Sequence, residues 1–425
     1  MQAAAAITGI EREIGSVDFA TIVRPGDRVL VGQGAAEPLT LTQQLVAQKD
    51  RIGPFEIFLG PLYSGTFAAE KAEGIRFSSY GAIGRTAALS RAGRLEIVRE
   101  PYGSLAEAFA SGEQKADVVL IQLAPPLGGG MSFGLANDYL VAAARRARVV
   151  VAEINPGVPW THGAEVPADF PMHLCVPAAR PPLDIASSPL TEIETRIAEH
   201  VAGLVPNGAV LQFGVGAIPD AILAGLTQHR DLGIHSGLVT ERALDLIECG
   251  AVTNARKTFD RGITIANILF ATARLRAYAH GNSALRVAPP SYTHGLSVLR
   301  RIENFTAINS AIEVDLAGRI NSETADGQYL GGIGGLRDFV AGANAAPGGR
   351  AIIALPATAR GGQSRIVTGV GTVSVEADAA DMVVTEWGVA ELRGCDGAER
   401  ARRLIAIAAP QFRDALARAR RGRDT

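Results

Sequence analysis

Two short apolar runs, Val210–Phe213 and Leu232–His235, constrain this chain more than any other feature. Each is too short for a helix, is rich in strand formers and breaks on glycine, at Gly214-Val215-Gly216 and at Ser236-Gly237. Helical spacing follows each, from Asp220 to Leu226 and from about Thr240, where Ala243, Leu244 and Ile247 share a face. Thr240 is the candidate N-cap of the second helix. A strand feeding a helix through a glycine turn, twice in succession, belongs in an α/β sheet. Ligands there bind beyond the carboxyl ends of strands, near helix N-termini.

The same alternation runs through the rest of the chain. Residues up to Ile22 read as a leading helix, and Asp27–Gly32 as a strand that breaks on a glycine turn before a helix over Leu39–Gln48. Phe55–Leu59, Val118–Leu123 and Arg148–Glu153 are further strands, and Tyr139–Arg146 is a helix. Val118–Leu123 is apolar throughout except for Gln122, as suits a strand covered on both faces. The Pro-, Ala- and Ser-rich stretch Ala178–Pro189 reads as a linker. Beyond it the pattern restarts, with a helix over Glu192–Leu204 ahead of Val210–Phe213. Later strand-like runs are Ile263–Phe270, Asn304–Ile308, Ile312–Leu316, Ala351–Leu355 and Met382–Thr385. Gln363–Val367 and Gly371–Val375 read as a hairpin, and Leu404–Leu416 as a closing helix before an Arg-rich tail. The expectation is an α/β protein of two tandem domains, residues 1–180 and 190–425, each a mostly parallel sheet flanked by helices.

Composition removes several function classes. A net charge of −2 gives no reason to expect a nucleic acid or an anionic membrane as partner. Three scattered cysteines, Cys175, Cys249 and Cys395, fit neither a disulfide framework nor a zinc site, and no HExxH is present, so no metal is expected. There is no apolar run of spanning length and no signal-peptide pattern at Met1–Ala6, which reads as a cytoplasmic protein. Gly32-Gln33-Gly34 matches only part of a dinucleotide-binding loop, and the acidic residue that should follow is missing.

The segments GVGAIPDA, LGIH, AINSAIEVDL, GGIGG, ALPATARGG and VVTEWGVAELRG, in that order, resemble the acetyl-CoA hydrolase/transferase family, which includes acetate and 4-hydroxybutyrate CoA-transferases. The resemblance implies two related α/β halves with the active site between them, a homodimer or higher homo-oligomer, and acyl-CoA and a small carboxylate as substrates with no bound cofactor. It implies a ping-pong reaction in which a glutamate attacks the thioester and then carries CoA as a glutamyl thioester. Gly216 and Ala217 would supply backbone N–H groups to the oxyanion. Gly214, Asn309, Gly332, Gly334, Gly335, Gly361, Gly362 and His162 would line the substrate groove. The same glycines also serve ordinary sharp turns.

Two positions depart from the family pattern. Its transferases read His-Thr-Glu or similar where this chain reads His235-Ser236-Gly237, so glycine stands at the nucleophile's place. Leu336 stands where glutamine usually follows the glycine loop. Three readings stay open. Glu241 takes over as nucleophile, favoured in its ionised form by a helix N-terminus, although an ordinary first-turn acid looks the same. Alternatively, water attacks in space left by the missing side chain, with His235 or Glu153 as base, giving a hydrolase. In the third reading the chain binds acyl-CoA without turnover. Glu386 matches a family acid and reads as a binder of backbone amides.

Overall fold

The computed structural model describes residues 10–11 and 13–421. The chain divides into two compact units, one holding the chain up to Ala186 together with Ile265–Thr293, the other Ser187–Thr264 and the chain from His294 onward. The linear division at 180–190 does not contain the excursion over 265–293. Those residues carry Asn267, whose side-chain amide donates to the Asn137 and Ala288 carbonyls at 2.7 and 2.9 Å and accepts from the Tyr102 hydroxyl at 2.6 Å, all inside the first unit. The proline-rich stretch also joins that unit, through the Asp184–Arg276 ion pair at 2.6 Å.

In the first unit the strands are β1 (Arg28–Val31), β2 (Glu56–Leu59), β3 (Arg76–Ser79), β4 (Leu95–Ile97), β5 (Val118–Leu127), β6 (Val149–Ile154) and β7 (Leu174–Pro177). Their order is β7-β6-β5-β1-β2-β3-β4, every neighbour parallel, with Ile10–Glu11 beyond β7. Val118–Leu123 is buried at the centre. This strand runs on through Pro125 and Pro126, past the expected end, and pairs antiparallel with Gly130–Ser132. Helix α1 (Leu39–Gln48) has Pro38 at its N-cap position, so its first N–H groups need an acceptor from elsewhere. Glu153, on β6, provides it: one carboxylate oxygen accepts from the N–H of Thr40 at 2.9 Å and of Leu41 at 3.2 Å.

The second unit has β8 (Val210–Phe213), α2 (Ala217–Gly225), β9 (Gly233–Ile234), α3 (Glu241–Glu248), β10 (Phe305–Ser310), α4 (Leu336–Ala345), β11 (Arg350–Ala354), β12 (Met382–Thr385) and β13 (Gly388–Glu391). The sheet order is β9-β8-β10-β11-β12-β13, parallel except for the closing β12–β13 hairpin. Phe305, Phe339, Val340, Leu299 and Ile353 lie in one buried cluster of this unit, and α4 packs against β10 and β11 there. Both units therefore have the expected mostly parallel α/β architecture.

Four local expectations change. The leading helix is a short turn at Ile14–Ser16 and a four-residue helix, Phe19–Ile22, restarted by the Asp18 cap; its earlier part, residues 1–9, lies outside the described residues, as does the tail 422–425. The run over Ile263–Phe270 is two strands, Thr264–Ala266 and Ile268–Phe270. The hairpin is absent because each arm pairs with an earlier segment: Ile366–Val367 pairs parallel with Glu313–Asp315, and Val375 bridges Ile320. The closing helix is two, Gly397–Ile407 and Pro410–Arg421, because Pro410 has no N–H to continue the first.

Candidate active site

Within the second unit, three turns at strand ends bring most of the sequence candidates together. The first follows β8. Gly214 donates its N–H to the Ile308 carbonyl at 3.0 Å, and Gly216 has φ +124° and caps α2. A Cβ at Gly216 would meet nothing, so backbone conformation rather than space requires glycine there. The Asp220 N–H makes the first helical bond, to the Gly216 carbonyl at 3.1 Å. Helix geometry therefore leaves the Ala217 and Ile218 N–H groups ahead of it, and Pro219 has none. Asn309, at the end of β10, adjoins this turn: its Oδ1 lies 3.5 Å from the place of a Gly214 Cβ. Its amide is engaged reciprocally with Gln212, at 3.0 and 3.2 Å.

The second turn follows β9. The His235 N–H donates to the Leu211 carbonyl at 3.0 Å, and its ring is buried with an edge toward Phe259 at 6.5 Å. Ser236 stitches the turn to β8, its hydroxyl donating to the Phe213 carbonyl at 3.3 Å and accepting from the Phe213 N–H at 3.4 Å. Beneath β9, the buried Lys257 ammonium donates to the carbonyls of Ile234 and Ile263 at 3.1 and 2.7 Å.

Gly237 comes next, and the space beside it is not vacant. A Cβ there would lie 2.9 Å from His294 Nε2, 3.1 Å from its Cε1 and 3.2 Å from Phe339 Cε2. The room expected for a water beside Gly237 is therefore taken by an imidazole. The third turn, Gly332–Gly335 ahead of α4, also comes up against that ring. A Cβ at Gly335 would lie 2.8 Å from His294 Nε2 and 2.7 Å from Phe339 Cε2. Phe339 lies against the imidazole with centroids 4.5 Å apart. Burial, with a further contribution from His235, pushes the His294 pKa down to about 3, so the ring is neutral at ordinary pH. Gly334 has φ +48°, which again favours glycine. Leu336 points into the apolar core rather than replacing a polar contact.

Glu241 is the first residue of α3 and is half-buried. Thr240 holds the N-cap position, but its hydroxyl donates to the Asp220 carboxylate at 3.3 Å, tethering α3 to α2 instead of capping its own helix. Asp220 is pushed above its ordinary pKa, chiefly by burial. Gly361 and Gly362 form a tight turn in which the Gly362 N–H donates to the Ala359 carbonyl at 2.9 Å. Glu386 accepts the Ala357 N–H at 2.8 Å, the amide-binding role read for it from sequence.

Two candidates lie in the first unit. The His162 ring is edge-on to Trp160 at 5.1 Å, with Nε2 3.4 Å from the Gly281 carbonyl. Glu153 is fully buried, and its oxygens are committed to the start of α1, including the Thr40 hydroxyl at 3.0 Å. That commitment removes it from the list of bases for an attacking water. Sequence reasoning missed His294, Phe339 and Lys257. A lone histidine between Thr293 and Gly295 carries no motif, and its meaning lies in the two glycines that face it. Among the described residues no group of three or more His, Cys, Asp or Glu side chains could hold a metal ion. No helix among them is long and apolar enough to cross a membrane.

Comparisons with known proteins converge. Residues 11–174 match the acetyl-CoA hydrolase/transferase N-terminal domain and residues 272–420 the C-terminal domain. The chain is 34% identical to the 4-hydroxybutyrate coenzyme A transferase of Clostridium kluyveri, over 92% of each chain. Among solved structures it is similar to RipA from Yersinia pestis (30% identity, 97% of each chain, TM-score 0.88). It is also similar to a 4-hydroxybutyrate CoA-transferase from Porphyromonas gingivalis (30% identity, 97% of each chain, TM-score 0.81).

Proposed function

Because the chain belongs to the acetyl-CoA hydrolase/transferase family, an enzyme family whose members act on acyl-CoA, we propose that it transfers CoA between an acyl-CoA and a small carboxylate. The observation that carries the reading is the turn Gly214–Ala217. Fixed backbone N–H groups at a helix start can meet the oxyanion of a thioester under attack without reorganising. The relatives support transfer over other thioester chemistry, since those matched over most of their length are named as CoA-transferases, two of them between a named acyl-CoA and a named carboxylate. Acyl-CoA is substrate here, and the reading needs no metal or resident cofactor.

Gly237 favours a second reading, hydrolysis of the acyl-CoA, since no side chain at that position can hold the acyl group or CoA. Relatives named acetyl-CoA hydrolase match about half of this chain. One experiment separates the two: acyl-CoAs are offered with and without a carboxylate acceptor, and free thiol and new acyl-CoA are both measured. Transfer predicts new acyl-CoA only with acceptor and little thiol release. Thiol release that ignores the acceptor would establish hydrolysis instead. Loss of exchange in Glu241→Ala, with the fold intact, would identify Glu241 as the nucleophile.

A further inference from the structure

We propose that His294 keeps this site free of an enzyme-bound intermediate: its imidazole fills the position a side chain at 237 would need, and the acceptor's own carboxylate attacks the thioester. The proposal rests on the reading of the chain as a CoA-transferase. The ring is held close to two turns at once: the same Nε2 lies 2.9 Å from the place of a Cβ at Gly237 and 2.8 Å from the place of one at Gly335, and Phe339 lies against it at a tilt, centroids 4.5 Å apart. Glycine at both 237 and 335 is therefore the complement of one histidine. The residues hold a polar ring where a longer side chain from either turn would otherwise project.

The reaction then runs between the two substrates. An oxygen of the acceptor carboxylate bonds to the thioester carbon, and the carbonyl electrons move onto its oxygen, facing the N–H groups at the start of α2. Collapse breaks the carbon–sulfur bond, leaving a mixed anhydride and CoA thiolate. The thiolate bonds to the acceptor's carbonyl carbon, the anhydride carbon–oxygen bond breaks, and the donor acid leaves as carboxylate. No proton, oxidant or reductant is consumed, and one acceptor oxygen ends on the released acid.

The test uses the full chain. Wild-type protein is incubated with acyl-CoA alone and weighed intact. A single turnover is then run with an acceptor labelled in its carboxylate with heavy oxygen. The expected results are no gain of mass and heavy oxygen in the released acid in that first turnover. A gain equal to one CoA less a water, or an unlabelled acid from a turnover that forms new acyl-CoA, would overturn the proposal, because in exchange both require an enzyme carboxylate. Gly237→Glu and the double variant Gly237→Glu/His294→Gly are weighed in the same way. Uptake of CoA by the double variant but not by the single one is expected, and equal uptake by both overturns the steric account. Absence of exchange in the wild type would count against the transferase reading, while the variant pair still decides whether His294 blocks position 237.

Discussion

Glu153 offers the most direct test of how burial and hydrogen bonding compete in this protein. Its carboxylate receives two backbone N–H bonds and the Thr40 hydroxyl at a helix start, all of which favour the ionised form. Complete burial opposes them and is larger, aided slightly by the charge of Glu37, so the pKa rises from an ordinary 4.5 to about 7. The folded state therefore binds a proton that the unfolded state has released across that interval. The stability it contributes is complete below about pH 4.5 and is lost as pH rises toward 7. A shift of roughly 2.5 units at about 1.4 kcal/mol each gives a loss of about 3 kcal/mol. Glu153→Gln keeps an acceptor for Thr40 and Leu41 and cannot ionise. The stability of the variant relative to wild type should then rise by about 3 kcal/mol between pH 4.5 and 8. Denaturant titrations followed by Trp160 fluorescence, in a Trp387→Phe background, report on the first unit alone. A flat difference across pH, or a variant that loses ground at pH 8, would mean that the helix N-terminus outweighs burial.

Two further outcomes follow from the second unit. The Asp381 carboxylate accepts the buried Ala351 N–H at 2.7 Å and both Nε and Nη2 of Arg393 at 2.6 Å. Asp381→Ala should cost about 2 kcal/mol through the stranded N–H, while Arg393→Ala, removing a largely exposed partner, should cost under about 1 kcal/mol; equal losses by denaturant titration would contradict this. His294 should keep a neutral imidazole down to about pH 4 in nitrogen-detected NMR, since its folded pKa is near 3. Its depressed value means stability falls as pH drops below the ordinary 6.5, and a midpoint near 6.5 in the folded protein would refute the buried placement.

Much of the framework was legible locally. Val210–Phe213, Leu39–Gln48 and Met382–Thr385 fall on the residues read from pattern alone, because a buried parallel strand and an amphipathic helix each write their period into the sequence. The glycine at 216 was equally legible, since a positive φ at a helix start leaves few alternatives. Pairing partners were not. Gln363–Val367 and Gly371–Val375 look like adjacent arms, yet their partners lie fifty or so residues earlier, at Glu313–Asp315 and Ile320. The excursion of Ile265–Thr293 into the first unit was hidden for the same reason: Asn267 is an unremarkable residue until Tyr102 and Asn137 are beside it.

The sequence by itself determined that this is an α/β chain of the acetyl-CoA hydrolase/transferase family, that a glycine turn opens the helix after Val210–Phe213, and that residue 237 carries no carboxylate. Only the tertiary structure decided what lies beside Gly237 and what the Glu153 carboxylate binds. Each answer depends on residues far apart in the chain: His294 against Gly237 and Gly335, and Glu153 against Thr40 and Leu41. A glycine's sequence records that a side chain is missing, but the volume it leaves belongs to whichever neighbour the fold delivers there.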